Sequence, residues 1–481
     1  MAQTLYFYDL ETSGVDPRNS RIMQFAGQRT DINLRPVDEP HNILIKQTDD
    51  ILPDPGAVLI TGITPQMTLA DGVTEAEFVK FFDQEINKPD TIFVGFNSIR
   101  FDDEFMRFLF WRNFHDSYEW QWKDGNSRWD VLDLSRMTRA LRPQGIKWPV
   151  DSKGKPTNRL EFLTSVNKIS HADAHDALAD VKATIAVANL IKKNQPKIFN
   201  YLLNLRTKKE VEKFLNQNDI FIYSSGKYPG EFDKTTVVAN LGKHPDNNGV
   251  LVYDLRHEPA EFIDLKPKEI AELWQYDREK KLVPLPVKSL QPNRCPAVAP
   301  LGVLDAAAQK RLKIDLDQIK KNHKALLDNP EFIGKLHDGL EILNKKRAEQ
   351  TSLISEDGDV DSALYDNFVD NQDRRLLEKV RSSDPEDMND IAGSFKDARL
   401  KRLLPLYKAR NYPKSLSDEE LVSWENFRKE KLLGGGKNSR FAQFSEQLSR
   451  YAVGEFGTLS DKDKYLLEEL RLYAESILPE S

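Results

Sequence analysis

The sequence has 481 residues, a length typical of about two to four domains. Its 39% hydrophobic and 30% charged residues are typical of a globular protein, and the absence of any apolar run of about 18 residues predicts no membrane span. The single cysteine, Cys295, excludes an intrachain disulfide and a thiolate metal site; without a signal-peptide pattern at the N-terminus, the prediction is a reducing cytoplasm. The net charge of −7 argues against a general nucleic-acid coat protein but leaves a local basic channel open.

The first 195 residues predict an α/β domain. Apolar runs predict strands at residues 5–9, 22–30, 42–46 and 91–96, and the short turns between the first three favour an antiparallel meander. Amphipathic runs predict helices at residues 75–86, 102–111, 159–165 and 176–192, with Thr74 as the N-cap of the first. Residues 59–65 read as a turn-rich loop, and residues 129–140 fit either a short strand or a helix.

The remainder predicts two further domains. After a helix at residues 198–205, short β-like runs at residues 220–223, 235–239, 250–254 and 261–264 favour a small barrel or sandwich. Five prolines predict an extended segment at residues 284–300, and a helical stretch at residues 304–346 closes the domain. Residues 351–361 read as an exposed acidic linker, and the predicted C-terminal helices are 363–381, 396–410, 418–431, 439–451 and 460–477.

The first predicted strand ends in two acids, Asp9 and Glu11. In a strand these side chains point to the same side, where their charges repel each other unless a cation or a bound proton relieves them. Taken alone, the pair also fits a strand end with two solvated carboxylates. The acids further along the chain favour the cation site over solvated carboxylates.

Two further segments carry acids beside apolar residues. Asp102 follows a predicted strand and a polar loop, where it fits either a metal ligand or a simple helix N-cap. His175 precedes Asp180 by five residues, which places the two about 140° apart on an ideal helix. We therefore expect His175 at the join of a loop and a helix, although a lone histidine at a helix start is commonly structural.

Together, Asp9, Glu11, Asp102 and Asp180 predict a metal site. Carboxylates without thiols are hard oxygen ligands suited to Mg²⁺ or Mn²⁺ rather than zinc. Four such charges match two divalent cations, an arrangement used for in-line displacement at phosphorus. His175 has a suitable pKa to take the proton from the attacking water.

These three motifs, Asp-x-Glu, Asn-x₃-Phe-Asp and His-x₄-Asp, resemble in order and residue type those of the DEDDh 3′–5′ exonuclease superfamily. The segment at residues 61–64, Thr-Gly-Ile-Thr, is similar to a loop that those enzymes hold against the 3′-terminal nucleotide. The whole chain resembles the bacterial exonuclease I family, on runs at residues 129–134, 141–146, 174–177 and 409–413.

The resemblance implies a fold and its domains. The fold class is α/β, with a ribonuclease H-like nuclease domain built on a mixed sheet, an SH3-like β-rich middle domain and an all-helical C-terminal domain. The implied boundaries are residues 1–195, 196–350 and 362–481, with residues 351–361 as the linker. In that family the later domains close over the nuclease domain.

The resemblance also implies an activity. It is processive 3′–5′ hydrolysis of single-stranded DNA to 5′-mononucleotides, in DNA repair and recombination. Asp9, Glu11, Asp102 and Asp180 would hold two Mg²⁺ ions, for which Mn²⁺ could substitute. His175 would be the general base or would only orient the water.

Contacts with DNA and with a partner protein are implied at specific positions. The candidates for substrate contact are Glu11, Thr12, Thr61, Arg100, Phe101, Arg142, Lys147 and Trp148. A wider basic set adds Arg107, Arg112, Arg139, Lys208 and Lys209, since single-strand binding needs a basic track with aromatic faces. The family also binds the acidic, apolar C-terminal tail of the single-stranded DNA-binding protein, and the matching positions are Arg142, Tyr201, Arg311 and Leu326. The two arginines would meet acidic groups, and the other two residues would line an apolar pocket.

The sequence leaves other classes open. A DEDDh exoribonuclease has the same motifs, because contacts to a 2′-hydroxyl are not legible in a sequence. A non-catalytic single-stranded DNA-binding scaffold would have no need for five such residues. A small-molecule phosphodiesterase fits the metal site but leaves the later domains unexplained. We expect a monomer without membrane attachment.

Overall fold

The computed structural model describes residues 3–171, 176–246, 249–274, 284–352 and 359–479, without side-chain detail for 348–352. It forms two compact units. The first unit comprises residues 1–127, 171–182 and 358–481, and the second comprises residues 128–170 and 183–357. The first unit therefore draws together segments from the two ends of the chain and one short segment from the middle.

The strands within the described residues form two five-stranded sheets. They are β1 (Thr4–Thr12), β2 (Ile22–Thr30), β3 (His41–Leu44), β4 (Thr91–Gly95), β5 (Ser127–Asp130), β6 (Ile220–Ser224), β7 (Thr235–Lys243), β8 (Val250–Asp254), β9 (Val287–Leu290) and β10 (Ala297–Pro300).

Helices make up most of the rest. They are α1 (Pro55–Thr61), α2 (Pro65–Asp71), α3 (Glu75–Phe81), α4 (Asp102–Arg112), α5 (Val131–Leu141), α6 (Leu160–Val166), α7 (Ala177–Asn194), α8 (Pro196–Asn204), α9 (Lys208–Gln217), α10 (Pro267–Trp274), α11 (Ala306–Leu312), α12 (Leu316–Leu327), α13 (Glu331–Ser352), α14 (Asn371–Ser382), α15 (Met388–Ala392), α16 (Ala398–Asn411), α17 (Asp418–Leu433), α18 (Arg440–Ala452) and α19 (Asp461–Ser476). A π-helical turn, Phe82–Ile86, extends α3, and Thr74 caps that helix in a capping box with Glu77, as predicted for its start.

β1 is the central strand of the first sheet, whose order is β3-β2-β1-β4-β5. It pairs antiparallel with β2, where Leu5 lies opposite Thr30, and parallel with β4. β2 pairs antiparallel with β3, so the predicted meander is confirmed. The register of β1 and β2 shifts between Glu11 and Thr12, at the end of the strand where the two acids lie.

An aromatic core lies against this sheet. Tyr6 and Tyr8 of β1 are buried with Phe25 of β2, whose ring centroid is 4.9 Å from that of Phe78 in α3. Burial of a large apolar side chain stabilises a fold by about 1.5–3 kcal/mol. The apolar start of β1 is therefore anchored in the core, and the acids that follow are held at its edge.

The C-terminal helices share hydrophobic cores with elements near the N-terminus. Phe108 and Trp111 of α4 pack in one buried cluster with Leu403 of α16. Val58 of α1 packs in another with Phe444 of α18, and that cluster continues into α19. These contacts explain why both ends of the chain belong to one compact unit.

The second sheet has the order β10-β6-β7-β8-β9, with antiparallel neighbours throughout. The prediction of a strand at residues 261–264 is wrong: a 3₁₀ turn, Pro259–Glu261, precedes α10 there. The fourth and fifth strands come instead from the proline-rich segment, predicted only as extended, because its prolines lie at or beside strand ends.

Other differences have local causes. Residues 59–61 are helical, because Asp54 caps α1 and Pro55 occupies its first turn, a start signal that the loop prediction missed. The helix predicted at residues 363–381 starts only at Asn371, and α9 and α10 were not predicted. Asp361, assigned to the exposed linker, is fully buried. In the described part of the chain, no helix has the length and apolarity needed to cross a membrane.

Candidate active site

Two carboxylates extend from the end of the central strand. Asp9 and Glu11 are two residues apart in β1, opposite Ala26 and Gln24 of β2, so their side chains lie on one face. Asp9 is half-buried, and Glu11 is only 8% exposed. The apolar core beneath β1 keeps both carboxylates from full solvation.

The third carboxylate is tied directly to this strand. Asp102 is the first residue of α4, is 3% exposed, and its Oδ1 accepts a hydrogen bond of 3.2 Å from the backbone N–H of Leu10. Its side chain does not cap α4, whose N-cap position is Phe101. The neighbouring Asp103 accepts a hydrogen bond from the hydroxyl of Tyr8. The start of α4 is thus hydrogen-bonded to β1.

The fourth carboxylate comes from α7. One oxygen each of Asp9, Glu11 and Asp180 lie within 4.8 Å of one another. Asp180 also accepts a hydrogen bond from Nε2 of His171, whose side chain is 5% exposed. The predicted acids therefore converge from three elements that are far apart in sequence.

His171 and Asp176 are site residues that the sequence interpretation did not select. Oδ1 of Asp176 accepts from the N–H of Ala179 at 3.0 Å, and Oδ2 accepts from the Gln24 amide at 3.3 Å. Gln24 in turn accepts from the N–H of Ala177 at 3.3 Å. An acid three residues before a helical N–H is an N-cap signal, so this role of Asp176 could have been found from the sequence.

Mutual repulsion and burial disfavour charge in this cluster. Burial, followed by the negative charges of Asp102, Asp180, Glu11 and Asp176, raises the pKa of Asp9 well above its ordinary value. Burial first, and then the charges of the surrounding aspartates, raise the pKa of Glu11 to about 8. A divalent cation fits this oxygen-only set, because it would offset the repulsion that protonation otherwise relieves. His175 lies outside the described residues.

A cavity of about 510 Å³ opens beside the cluster. Its lining includes Asp176, Gln24 and, at the end of α1, Thr61 and Gly62. Thr61 is one of the residues predicted to contact substrate. Its hydroxyl accepts a hydrogen bond of 3.2 Å from the N–H of Ile63.

The other predicted substrate residues of this unit lie at element ends. Thr12 is buried, and its hydroxyl donates to the carbonyl of Gly14 at 2.8 Å. Arg100 and Phe101 are half-buried between β4 and α4. Arg107 and Arg112, members of the wider basic set, are buried in ion pairs of 2.6 Å with Glu104 and 2.7 Å with Glu75, respectively, so neither can form an exposed basic track.

Comparisons with known proteins agree with this geometry. The family models described as Exonuclease, Exonuclease I SH3-like domain and Exonuclease I C-terminal domain match residues 6–188, 206–341 and 358–477. Exodeoxyribonuclease I of Haemophilus influenzae is 39% identical over 89% of this chain and 90% of its own length. That of Escherichia coli is 37% identical over 99% of this chain and 98% of its own length.

The chain belongs to the exodeoxyribonuclease I family.

Solved structures of the exodeoxyribonuclease I family have the same fold. Exonuclease I from Methylocaldum szegediense matches with a TM-score of 0.91 and 41% identity, covering 99% of this chain and 100% of that one. The Escherichia coli enzyme in complex with a dA16 oligonucleotide matches with a TM-score of 0.90 and 36% identity over the same shares. The predicted fold class, a ribonuclease H-like domain followed by SH3-like and helical domains, is confirmed.

The second unit of this family member holds the residues predicted to bind a partner. Arg142 and Tyr201 line a largely apolar cavity of about 530 Å³ together with Met137, Ile198 and Val303. The Tyr201 hydroxyl has no hydrogen-bond partner among the described residues, and burial raises the pKa of Tyr201 to about 12.

The two remaining partner candidates do not line this cavity themselves. Arg311 lies next to it, because it donates a hydrogen bond to the carbonyl of Ala140, the residue before Leu141 in the cavity wall. Leu326 is buried in α12, and it does not line the cavity. Only Arg142 and Tyr201 therefore face the same space.

The substrate candidates of the second unit have mixed exposure. Lys147 is exposed, and the indole N–H of Trp148 donates to the carbonyl of Pro143 at 3.0 Å. Lys208 and Lys209 begin the exposed first turn of α9. Arg139 of the wider basic set is buried and pairs with Asp233 at 2.9 Å, so it is not part of an exposed track.

Proposed function

We propose that this protein hydrolyses single-stranded DNA from its 3′ end and releases 5′-mononucleotides processively. The observation that carries the proposal is the convergence of Asp9, Glu11 and Asp180 within 4.8 Å, with Asp102 held against the same strand. Membership of the exodeoxyribonuclease I family supports DNA as the substrate, as does the solved complex of the Escherichia coli enzyme with a DNA oligonucleotide. We also propose that this activity serves DNA repair and recombination.

The metal in this proposal is Mg²⁺, two ions per site, with Mn²⁺ as a substitute. Asp9, Glu11, Asp102 and Asp180 would hold the ions, which supply activation of water and stabilisation of the leaving oxygen. A zinc-bound form of the Escherichia coli enzyme supports a divalent-metal site in this family. Hard carboxylate ligands favour Mg²⁺ in the cell.

The side chains perform the remaining chemistry. His175 would take the proton of the attacking water, a role suited to histidine because the unperturbed pKa of an imidazole lies near neutrality. Asp176 and Gln24 fix the start of α7 through hydrogen bonds of 3.0–3.3 Å, which positions Asp180. Thr61, in the wall of the adjacent cavity, would contact the terminal nucleotide.

The decisive experiment uses oligonucleotides labelled at the 5′ end. Single-stranded DNA, blunt duplex DNA, duplex DNA with a recessed 3′ end, and single-stranded RNA are incubated with Mg²⁺ or with EDTA. We expect stepwise shortening of single-stranded DNA by the wild-type protein in Mg²⁺ alone. Asp180→Ala should be inactive, whereas Asp317→Ala, which removes an exposed acid of α12, should match the wild type.

Three outcomes would contradict the proposal. Shortening of RNA at a comparable rate would indicate an exoribonuclease. Binding of single-stranded DNA without shortening of any substrate would indicate a non-catalytic scaffold. Release of dinucleotides or longer products would contradict a mononucleotide exonuclease.

We also propose that the cavity around Arg142 and Tyr201 binds the C-terminal tail of the single-stranded DNA-binding protein. A solved complex of exonuclease I with that protein supports this partner for the family. The cavity offers apolar walls that include the side chain of Tyr201, and an arginine with a 35% exposed side chain, the chemistry that an acidic, apolar tail needs. We further propose that the protein acts as a monomer in the cytoplasm.

Tail binding is measured by fluorescence anisotropy with a labelled peptide that ends in acidic and apolar residues. We expect Arg142→Ala to weaken binding about tenfold, since a charge-assisted contact is lost. Arg311→Ala should also weaken it, whereas hydrolysis of naked DNA stays close to wild type. Lys320→Ala, at an exposed position of α12, is the control. Unchanged affinity in both arginine variants would exclude this site.

A further inference from the structure

The last long helix of the chain packs beside the active-site cavity. Leu466 and Leu470 of α19 pack against Val58 of α1 in one buried cluster. The side-chain amide of Gln66, in α2, donates to the carbonyl of Glu469 at 2.6 Å. The start of α19 is therefore held at a defined place near the end of α1.

This placement brings Lys462 over Gly62. Gly62 ends α1 in the left-handed region, with φ of +71°, and a Cβ atom built on it would lie 3.4 Å from Nζ of Lys462. A larger residue at position 62 would thus meet backbone strain, while its Cβ would lie at ordinary van der Waals distance from the ammonium group. Gly62 in the cavity wall and the Lys462 ammonium group are thus neighbours, although they are 400 residues apart in sequence.

Lys462 has a position that helix stability alone does not favour. It is the second residue of α19, after the N-cap Ser460 and before Asp463, which completes the capping box. Positive charge near a helix N-terminus opposes the helix dipole, whereas acids there are favourable. Lys464, two residues further on, pairs with Asp461 at 3.1 Å, but Lys462 forms no ion pair within the part of the chain that is described.

The charges that line the cavity indicate a role for the Lys462 ammonium group. Asp71 and Asp176 also line the cavity, and among its described lining residues Lys462 carries the one positive charge. A DNA end is itself anionic, so a cation in this wall offsets part of the repulsion that an entering nucleotide meets.

We infer that Lys462 is a substrate-contacting residue, whose ammonium binds a phosphate of the 3′-terminal nucleotides as they enter this cavity. The inference rests on the proposed function and extends it, because it assigns part of the substrate site to the C-terminal helices. From the sequence, Lys208 and Lys209 were the only positions after residue 201 selected for DNA contact.

The test compares Lys462→Ala, Lys462→Arg and the control Lys464→Ala on a tetranucleotide and on a long single strand, both labelled at the 5′ end. We expect Lys462→Ala to raise KM for the tetranucleotide about tenfold, with kcat within about twofold of wild type. The effect on the long strand should be smaller, because more contacts share its binding. Lys462→Arg should restore KM, since it restores the charge.

Salt dependence separates a phosphate contact from a structural effect. The slope of log(kcat/KM) against log[NaCl] should become less steep by about 0.7 in Lys462→Ala, the value for one phosphate contact on a single strand. Lys464→Ala should leave the slope and KM unchanged. A KM and slope equal to wild type in Lys462→Ala would overturn the inference, while wild-type hydrolysis of DNA would leave the proposed function in place. Equal loss of kcat in Lys462→Ala and Lys462→Arg would indicate a structural role and would also overturn it.

Discussion

At the scale of single residues, the site is a set of acids that are costly without a cation. Asp9 and Glu11 are raised in pKa by burial first and then by their neighbours. In a folded protein such a cost persists when it serves a purpose, and perturbed carboxylates are concentrated at functional sites. The unfavourable burial of these carboxylates therefore supports a functional role for the cluster.

Asp9→Asn tests whether the energetic cost of the Asp9 carboxylate is tied to metal binding. We expect the variant to lose hydrolysis and the Mg²⁺-induced rise in Tm, because a neutral amide cannot replace a metal-ligating carboxylate. In EDTA the same variant should be at least as stable as wild type, since a neutral amide needs no bound proton to avoid repulsion from the neighbouring acids. Differential scanning fluorimetry with and without Mg²⁺ measures both effects. A wild-type Mg²⁺-induced rise in Tm in Asp9→Asn would contradict the assignment.

His175→Ala should keep the Mg²⁺-induced rise in Tm and lower the rate of hydrolysis.

The pKa of Glu11 predicts a pH dependence of metal binding. Its folded-state pKa of about 8 lies above the ordinary value of 4.5, so the metal-free folded state holds a proton that the unfolded state has released. The stability of the metal-free protein therefore falls as the pH rises from about 4.5 to about 8, and metal binding releases the proton. We expect a larger Mg²⁺-induced rise in Tm at pH 8.5 than at pH 6.5.

Glu11→Gln is the matching variant for the pH experiment, because it retains the shape of the side chain without the titrating proton. Its Mg²⁺-induced shift should be smaller and should change less between pH 6.5 and pH 8.5. A wild-type shift that is equal at the two pH values would contradict the raised pKa.

At the scale of elements, the site depends on where three elements begin or end. β1 ends at Thr12, α4 begins at Asp102, and α7 begins at Ala177. Each junction is fixed by hydrogen bonds between elements, such as that from the N–H of Leu10 to Asp102. Because the carboxylates lie within one turn of these ends, a small shift of an element would disperse the cluster.

Asp176 tests this dependence at the start of α7. Asp176→Ala removes the side-chain acceptor for the N–H of Ala179, and we expect it to cost about 1 kcal/mol of unfolding free energy and to lower kcat. Asp176→Asn keeps an acceptor oxygen at the same place and should retain most of the stability. Urea denaturation followed by circular dichroism measures the difference. Equal stability of the two variants would show that the cap is not used.

At the scale of the whole molecule, a buried charge network joins distant segments within the first unit. Arg410 of α16 lies 2.7 Å from both Asp50 and Asp361, and Lys431 of α17 lies 2.7 Å from Asp50. Arg21 pairs with Asp361 at 2.6 Å. Burial raises the pKa values of the two aspartates, but Arg410, Lys431 and Arg21 together outweigh it and hold both values low.

Arg410→Met should expose the cost of this network. The two buried carboxylates would keep only part of their compensation, and breaking a buried pair costs about 3–5 kcal/mol. Chemical denaturation should show that loss. Arg471→Met, which removes an exposed arginine paired with Glu468 and Glu475 in α19, should change stability little. A small effect of Arg410→Met would indicate that water or a shifted Lys431 replaces the guanidinium.

The low aspartate pKa values also predict acid sensitivity. Their stabilising contribution is present above the ordinary aspartate pKa, near 3.9, and is lost as the pH falls through the lower folded-state values. The network therefore stabilises the first unit throughout the neutral range in which hydrolysis is expected.

Much of the fold follows from local patterns. The apolar runs of β1 and β2 and the cap at Thr74 identified two strands and a helix start, because side-chain patterns and capping act within a few residues. The acids of the site could also be identified from the sequence, since each belongs to a motif near the start or end of a predicted element. The roles of Asp176 and His171 were not identified, although Asp176 carries a capping pattern.

The sequence by itself determined the kind of chemistry, oxygen ligands for a divalent metal, and the class of most elements. Only the tertiary structure decided which groups share one space: Asp9 with Asp180, Lys462 with Gly62, and the buried Asp361 with Arg21 and Arg410. These partners are tens to hundreds of residues apart. Their proximity depends on packing between elements, and no local pattern of hydrophobicity or capping records which distant surfaces will meet.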